Sequence, residues 1–152
     1  MYLAEAIREK DFVAESIKFL CNRIKELSVS SHESDIKLNQ ELVKNKVKEL
    51  ENLYKEFQKY SIIISRAKVI ATIKLNDEDF SIADAESILE SVRDRLGYFE
   101  DLLSNINIES NRSSQTNVCV NVEDIYTKIY QLRSDVRTIE NSIERVLWAT
   151  EV

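Results

Sequence analysis

The sequence predicts a mainly α-helical fold: four long amphipathic helices in an antiparallel bundle or helical-hairpin arrangement, with a small β-ribbon. Three observations carry this. Apolar residues recur at alternating steps of three and four in four separate segments. The chain of 152 residues has no proline and a single glycine, Gly97, so little interrupts a helix. Hydrophobic residues make up 43% and charged residues 32%, a balance that suits a folded chain able to bury a sizeable core.

The first segment, about 2–28, places Leu3, Ala6, Lys10, Val13, Ile17, Leu20, Ile24 and Leu27 on one stripe. Only Lys10 breaks it, and its aliphatic stem can lie along apolar surface. The second, about 35–65, continues through Ile36, Asn39, Val43, Lys46, Leu50, Leu53, Phe57, Tyr60 and Ile64. The third, about 81–107, runs Ile82, Ala85, Leu89, Val92, Leu96, Phe99, Leu103, Ile106. The fourth, about 122–149, runs Val122, Ile125, Ile129, Leu132, Val136, Ile139, Ile143, Val146. A stripe of this kind needs a partner surface, and a mean step of about 3.5 residues is that of bundles and left-handed coiled coils. Second-row residues widen the stripes: Ile7, Ala14 and Cys21, Leu42 and Tyr54, Ile88 and Leu102, Tyr126 and Leu147. A wide stripe favours a bundle over a two-stranded coil.

The connections are polar or β-like. Residues 28–35 read as a loop in which Ser34 or Asp35 caps the second helix, and Ser81 with Asp84 reads as the cap of the third. Residues 107–117, rich in Asn and Ser, read as a second loop. The stretches 68–75 and 117–122 are rich in β-branched residues or alternate polar with apolar. They are expected to form a ribbon, joined by Phe80–Ile82 after a turn over 76–79. One helical domain spanning 1–152 is the expected organisation.

Several classes of chemistry are disfavoured. The formal net charge of −6 repels phosphate backbones, so no nucleic-acid partner is expected. The Lys44, Lys46, Lys48 cluster is followed by Glu49 and Glu51 and reads as a solvated helix face. Histidine occurs once, at His32 in a polar loop, and with two cysteines falls short of standard zinc patterns. There is no glycine-rich phosphate loop and no Gly-x-Ser-x-Gly elbow. The carboxylate pairs Glu86/Glu90 and Glu140/Glu144 lie off the apolar stripes and lack the Glu-x-x-His partners of a di-metal bundle. No catalytic residue, metal, cofactor or small-molecule ligand is expected. Cys21 and Cys119 read as buried thiols in a reducing compartment. The N-terminus lacks the features of a signal peptide and no apolar stretch is long enough to span a bilayer, so the expected location is cytoplasmic.

The aromatic residues off the stripes are the notable surplus: Phe12, Phe19, Tyr98, Tyr130 and Trp148. They suit either a second core layer or an interface between copies, where aromatics are enriched, with a membrane-inserting face as a third and lesser reading because the basic flank of such helices is missing.

The order of several short motifs resembles one family. Leu3-Ala4-Glu5-Ala6-Ile7-Arg8-Glu9-Lys10-Asp11 looks like the “LAEAL-x-ER-x-DL” opening of the small bacterial proteins called septicolysin-like. Phe80-Ser81-Ile82-Ala83-Asp84-Ala85 resembles their “TLTEA” helix start, and Val120-Asn121-Val122-Glu123-Asp124-Ile125 their “VDVAAL” entry to the last helix. Arg137-Thr138-Ile139-Glu140 and Trp148-Ala149-Thr150-Glu151-Val152 resemble “R-x-LD” and “NW-x-T-x-L”. The resemblance runs nearly end to end. It implies a helical protein without established catalytic residues, and the family's name implies a pore-forming role. The function expected is therefore that of a non-catalytic, self-associating interaction protein, with the five aromatics and the β-like edges as its surface. A membrane-active cytolysin is the alternative. A ligand-binding bundle or a carboxylate enzyme ranks last.

Overall fold

A computed structural model of the chain describes residues 1–112 and 117–152. Its elements are α1 (Leu3–Leu27), a 3-10 turn (Glu33–Asp35), α2 (Ile36–Ile70), β1 (Thr72–Leu75), β2 (Glu78–Ser81), α3 (Ile82–Arg112) and α4 (Val122–Ala149). The fold is mainly α, with helices in antiparallel pairs and a two-stranded ribbon, as the sequence predicts. Where the sequence suggests one domain, the chain divides into two compact units, Met1–Lys68 with Leu147–Val152, and Val69–Val146.

In the first unit α1 and α2 form an antiparallel hairpin. The Lys10 ammonium lies 5.2 Å from the centre of the Phe57 ring. Further along, Leu27 of α1 and Asn39 and Val43 of α2 line one cleft, so advancing along α1 retreats along α2. The N-terminus of α1 is held by Glu5, whose carboxylate accepts the Tyr2 N–H at 2.8 Å. At its C-terminus the Ser28 N–H donates to the Ile24 carbonyl at 2.9 Å. The start of α2 departs from expectation. Ser34 and Asp35 do not cap it; they sit inside the 3-10 turn, where the Asp35 N–H donates to the His32 carbonyl at 3.1 Å. A 3-10 turn satisfies helix-end groups with backbone alone.

The buried side chains of this unit are Leu3, Ala4, Ala6, Val13, Ile17, Leu20 and Ile64. All but Ala4 belong to the predicted stripes. Ile64 is the one buried residue of α2, and the second-row residues Leu42 and Tyr54 stand exposed rather than widening a core. The residues Met1–Leu3 and Thr150–Val152 pair in an antiparallel bridge: Leu3 N–H donates to the Thr150 carbonyl at 2.7 Å, and Val152 N–H to the Met1 carbonyl at 2.9 Å.

In the second unit β1 and β2 pair antiparallel, Ile73 opposite Phe80 and Leu75 opposite Glu78. The two-residue turn is Asn76-Asp77, with φ of 49° and 67°. Two successive positive φ values make a type I′ turn, whose twist matches that of the strands, and Asn and Asp are the non-glycine residues that tolerate this backbone. Ile73 and Leu75 are buried while Thr72 and Lys74 face solvent, the alternation of a half-buried strand. The helix of residues 36–70 takes up Lys68–Ile70, which the sequence reading assigns to the β-like stretch.

α3 follows β2 directly. The Ser81 hydroxyl accepts the Asp84 N–H at 3.0 Å and donates to the Asp84 carboxylate at 2.8 Å, the cap that the sequence indicates. α3 and α4 run antiparallel: Arg93 pairs with Glu140 and, seven residues on and seven back, Glu100 pairs with Arg133 at 2.8 Å. Ile82, Ala85 and Leu89 are buried on α3, and Ile125, Ile129, Leu132, Ile139 and Ile143 on α4. The second-row Tyr126 is exposed.

Two further expectations are corrected. Residues 107–112 belong to α3, not to a loop, and 113–116 lie outside the described residues. Asn117–Asn121 forms no strand. β1 already has β2 as its partner, and Asn121 instead turns its side chain to α4, its Oδ1 accepting the Glu123 N–H at 3.0 Å. A side-chain oxygen capping a helix outcompetes a strand that has no neighbour to bond.

Candidate interaction surface

The five off-stripe aromatics differ in their surroundings. Phe12 and Phe19 are 67% and 75% exposed, Tyr98 and Tyr130 64% and 66%, and Trp148 38%. Apolar rings left this open do not build a second core layer. Burying a phenyl ring is worth about 1.5–3 kcal/mol, and four of these five forgo most of it in the isolated chain.

Phe12 and Phe19 share a helix face because seven residues fall 20° short of two full turns. The inner stripe of α1 is occupied by Val13, Ile17 and Leu20, which leaves these rings on the opposite flank. Around them stand Glu5, Arg8, Arg23 and Glu26, all exposed. Arg23 and Glu26 pair at 3.0 Å along the helix. Arg8 lies over the indole of Trp148, 4.7 Å from its centre, a cation–π contact that fastens the last turn of α4 to the first turns of α1. Trp148 thus serves the terminal junction and is the least open of the five.

In the second unit the two tyrosines are separately placed. Tyr98 meets the neighbouring Phe99 edge-on, with ring centres 5.3 Å apart and planes at 75°. Tyr130 lines a cleft of about 440 Å³ between the C-terminal half of α3 and the first half of α4, together with Leu103, Ile108 and Tyr126. A second hollow of about 400 Å³ lies beside the ribbon, with Phe80, Ile88, Val92 and Ile139 as its apolar wall and Lys74, Glu78 and Asp135 at its rim.

The inter-helical ion pairs of Arg93 with Glu140 and of Arg133 with Glu100 escape sequence reasoning, which treats such charges as surface mixing. Nothing in local spacing signals them, since their partners lie 47 and 33 residues away. The exposure of Leu38, Val47 and Ile62 on α2 is also unanticipated. Its trace in the sequence is the polar interruption of the α2 stripe at Asn39 and Lys46. His32 is exposed in the turn before α2; Cys21 and Cys119 are free thiols, but neither is buried as expected, Cys21 being half-buried and Cys119 exposed in the irregular segment before α4. Among the described residues, no three or more His, Cys, Asp or Glu side chains stand close enough to hold a metal ion. Among them, too, no helix is long and apolar enough to cross a membrane.

The chain is similar over its whole length to a solved structure, the crystal structure of a functionally unknown conserved protein from Corynebacterium diphtheriae. The TM-score is 0.81 at 18% identity, and the likeness covers 100% of this chain and 98% of that one. At this identity the likeness shows the fold alone. No family model matches the chain, and no curated protein does.

Proposed function

We propose that the protein is a non-catalytic helical interaction protein that acts by associating with further copies of itself. One observation carries this reading: Phe12, Phe19, Tyr98 and Tyr130 stand open to solvent on regular helices whose opposite faces are filled. Aromatic side chains are enriched in interfaces because a large rigid ring buries much area for little lost side-chain freedom. α2 supports it further, since a helix of 35 residues with a single buried residue has apolar surface left to cover.

The finer assignment, a septicolysin-like protein of the cytoplasm, is supported by the ordered motifs from Leu3 to Trp148. The free thiols of Cys21 and Cys119 suit a reducing compartment. No observation favours the lytic role that the family's name implies: the Phe12 and Phe19 face carries acidic as well as basic neighbours, unlike the basic faces of helices that lie on membranes.

Light scattering coupled to size-exclusion chromatography, over about 1 to 300 μM, tests the reading. The expected result is an apparent mass that rises with concentration to a defined multiple of 17.7 kDa. A mass that stays at the single-chain value throughout would overturn it.

A further inference from the structure

α2 and α3 carry opposite charge. α2 holds eight basic and four acidic residues, α3 three basic and seven acidic. On α2 the excess is ordered. Lys37, Lys44, Lys48, Lys55, Lys59 and Arg66 follow alternating steps of seven and four, a repeat that keeps them within an arc of about 60°. All are exposed, and among the described residues none has a carboxylate or ring as partner. Beside this stripe stand the exposed Val47, Tyr54 and Ile62.

The outer face of α3, turned away from the buried Ile82, Ala85 and Leu89, is its counterpart. Glu90, Asp94, Tyr98, Asp101 and Ile108 fall within an arc of about 80° and are exposed. Among the described residues the three carboxylates are unpaired. From Ser87 to Ile108 no cation shares the arc, and Arg112 beyond it already pairs with Glu109 at 3.8 Å.

The two sets have one spacing. Lys44, Lys48 and Lys55 stand at i, i+4 and i+11, and so do Glu90, Asp94 and Asp101. With the helices parallel and residue 44 level with residue 90, all three pairs come level together. Ile62 then comes level with Ile108, and Tyr98 falls between Val47 and Tyr54. Handedness agrees: in a parallel pair, the flank to one side of the contact on one helix meets the flank to the other side on its partner. The α2 cations lie on one side of Val47 and Tyr54, and the α3 carboxylates on the opposite side of Tyr98, viewed from the same end. Antiparallel helices would put the charges on different flanks and bring only two of the three pairs level. Glu51 is the one carboxylate on the α2 face between Lys44 and Ile62; Lys48 and Lys55 flank it at three and four residues, and Tyr98, whose hydroxyl can donate to it, comes nearly level.

We infer that α2 of one copy docks in parallel on α3 of a second copy. Lys44–Glu90, Lys48–Asp94 and Lys55–Asp101 are its charge pairs, and Val47, Tyr54 and Ile62 against Tyr98 and Ile108 its apolar part. This rests on the self-association proposed above and names its surfaces and its register. Two different surfaces meet, so every copy offers both halves of the contact. The matched spacing favours this occupant over an anionic bilayer, which would engage the α2 cations and leave the α3 carboxylates unused.

The test is charge reversal with complementation, read as mass by light scattering. Lys44→Glu, Lys48→Glu and Lys55→Glu combined, and Glu90→Lys, Asp94→Lys and Asp101→Lys combined, should each weaken association at least tenfold with helical circular dichroism unchanged. An equimolar mixture of the two variants should restore it, because each α2 again meets an α3 of opposite charge. Wild-type association should also weaken between about 50 and 500 mM sodium chloride, a readout independent of any variant's folding. In a Cys21→Ala, Cys119→Ser background, chains with Ile62→Cys should link to chains with Ile108→Cys through a short thiol cross-linker. They should not link to chains with Ser87→Cys, about 30 Å away in the parallel register and within about 6 Å along the axis in the antiparallel one. Linked Ile62→Cys and Ser87→Cys chains would overturn the register. Undiminished association of the α3 variant, with wild-type binding to phosphatidylserine vesicles that the α2 variant loses, would overturn the docking in favour of an anionic surface. Wild-type association that is salt-independent and matched by both variants would overturn these surfaces and leave self-association standing. A wild-type chain that is monomeric throughout would end both.

Discussion

Leu132 is 1% exposed, and its whole side chain is removed from water midway along α4. Leu132→Ala deletes buried methyl groups and leaves a cavity whose lining relaxes only in part. Its unfolding free energy, from urea titration, should fall by about 3 kcal/mol. Phe19→Ala, by contrast, removes an exposed ring, and in the isolated chain should move stability by less than about 0.5 kcal/mol. A similar loss from both would mean that Phe19 is buried against something. Ser81 is a residue with two tasks, accepting the Asp84 N–H and donating to its carboxylate. Ser81→Ala should cost about 1 kcal/mol by the same titration, the usual value of a lost N-cap. The seam residues that decide the fold were readable one by one, because burial of Ile17, Leu89, Ile129 or Ile139 follows from spacing alone. The ion pairs of Arg93 and Arg133 were not, because a contact between helices depends on register, which single residues do not encode.

At the scale of elements, helix interiors were legible and helix ends less so. α2 and α3 each run five residues beyond the expected bounds, at Ile70 and Arg112. The added residues include Val69, Ile70, Ser110 and Asn111, of modest helix propensity, and an existing helix extends through them because propagation costs far less than nucleation. The ribbon shows the opposite case, an element fixed by two residues. Asn76 and Asp77 hold positive φ without the glycine that hairpin turns usually supply. Asp77→Gly should therefore stabilise the protein by about 0.5–1 kcal/mol, relieving the crowding of a Cβ in the left-handed region, and Asp77→Val should destabilise it by more than that. Thermal melts of the two variants, moving in opposite directions from wild type, would establish the turn. The segment 117–121 has as strong a β pattern as 72–75, yet only the latter finds a partner across a two-residue turn. Strand formation is decided by the neighbour, which a window of sequence does not contain.

For the whole molecule, the order of the long helices among the described residues follows from stripe periodicity, and so does a core in which, among those residues, every buried side chain is apolar. The division into two units does not, because its boundaries at Lys68 and Leu147 fall inside the continuous helices α2 and α4, where no loop or break in the sequence marks them. The candidate surface was half legible: the aromatics were visible as a surplus, but spacing alone left open whether they line a core or an interface. The pairing of Met1–Leu3 with Thr150–Val152 has a consequence for connectivity. Hydrogen-bonded side by side, residues 1–3 and 150–152 leave only a short gap for a linker to bridge. A linker of a few glycines should close it, and a new opening within the exposed segment 29–31 should give a circular permutant with native circular dichroism and a melting temperature within a few degrees of the parent.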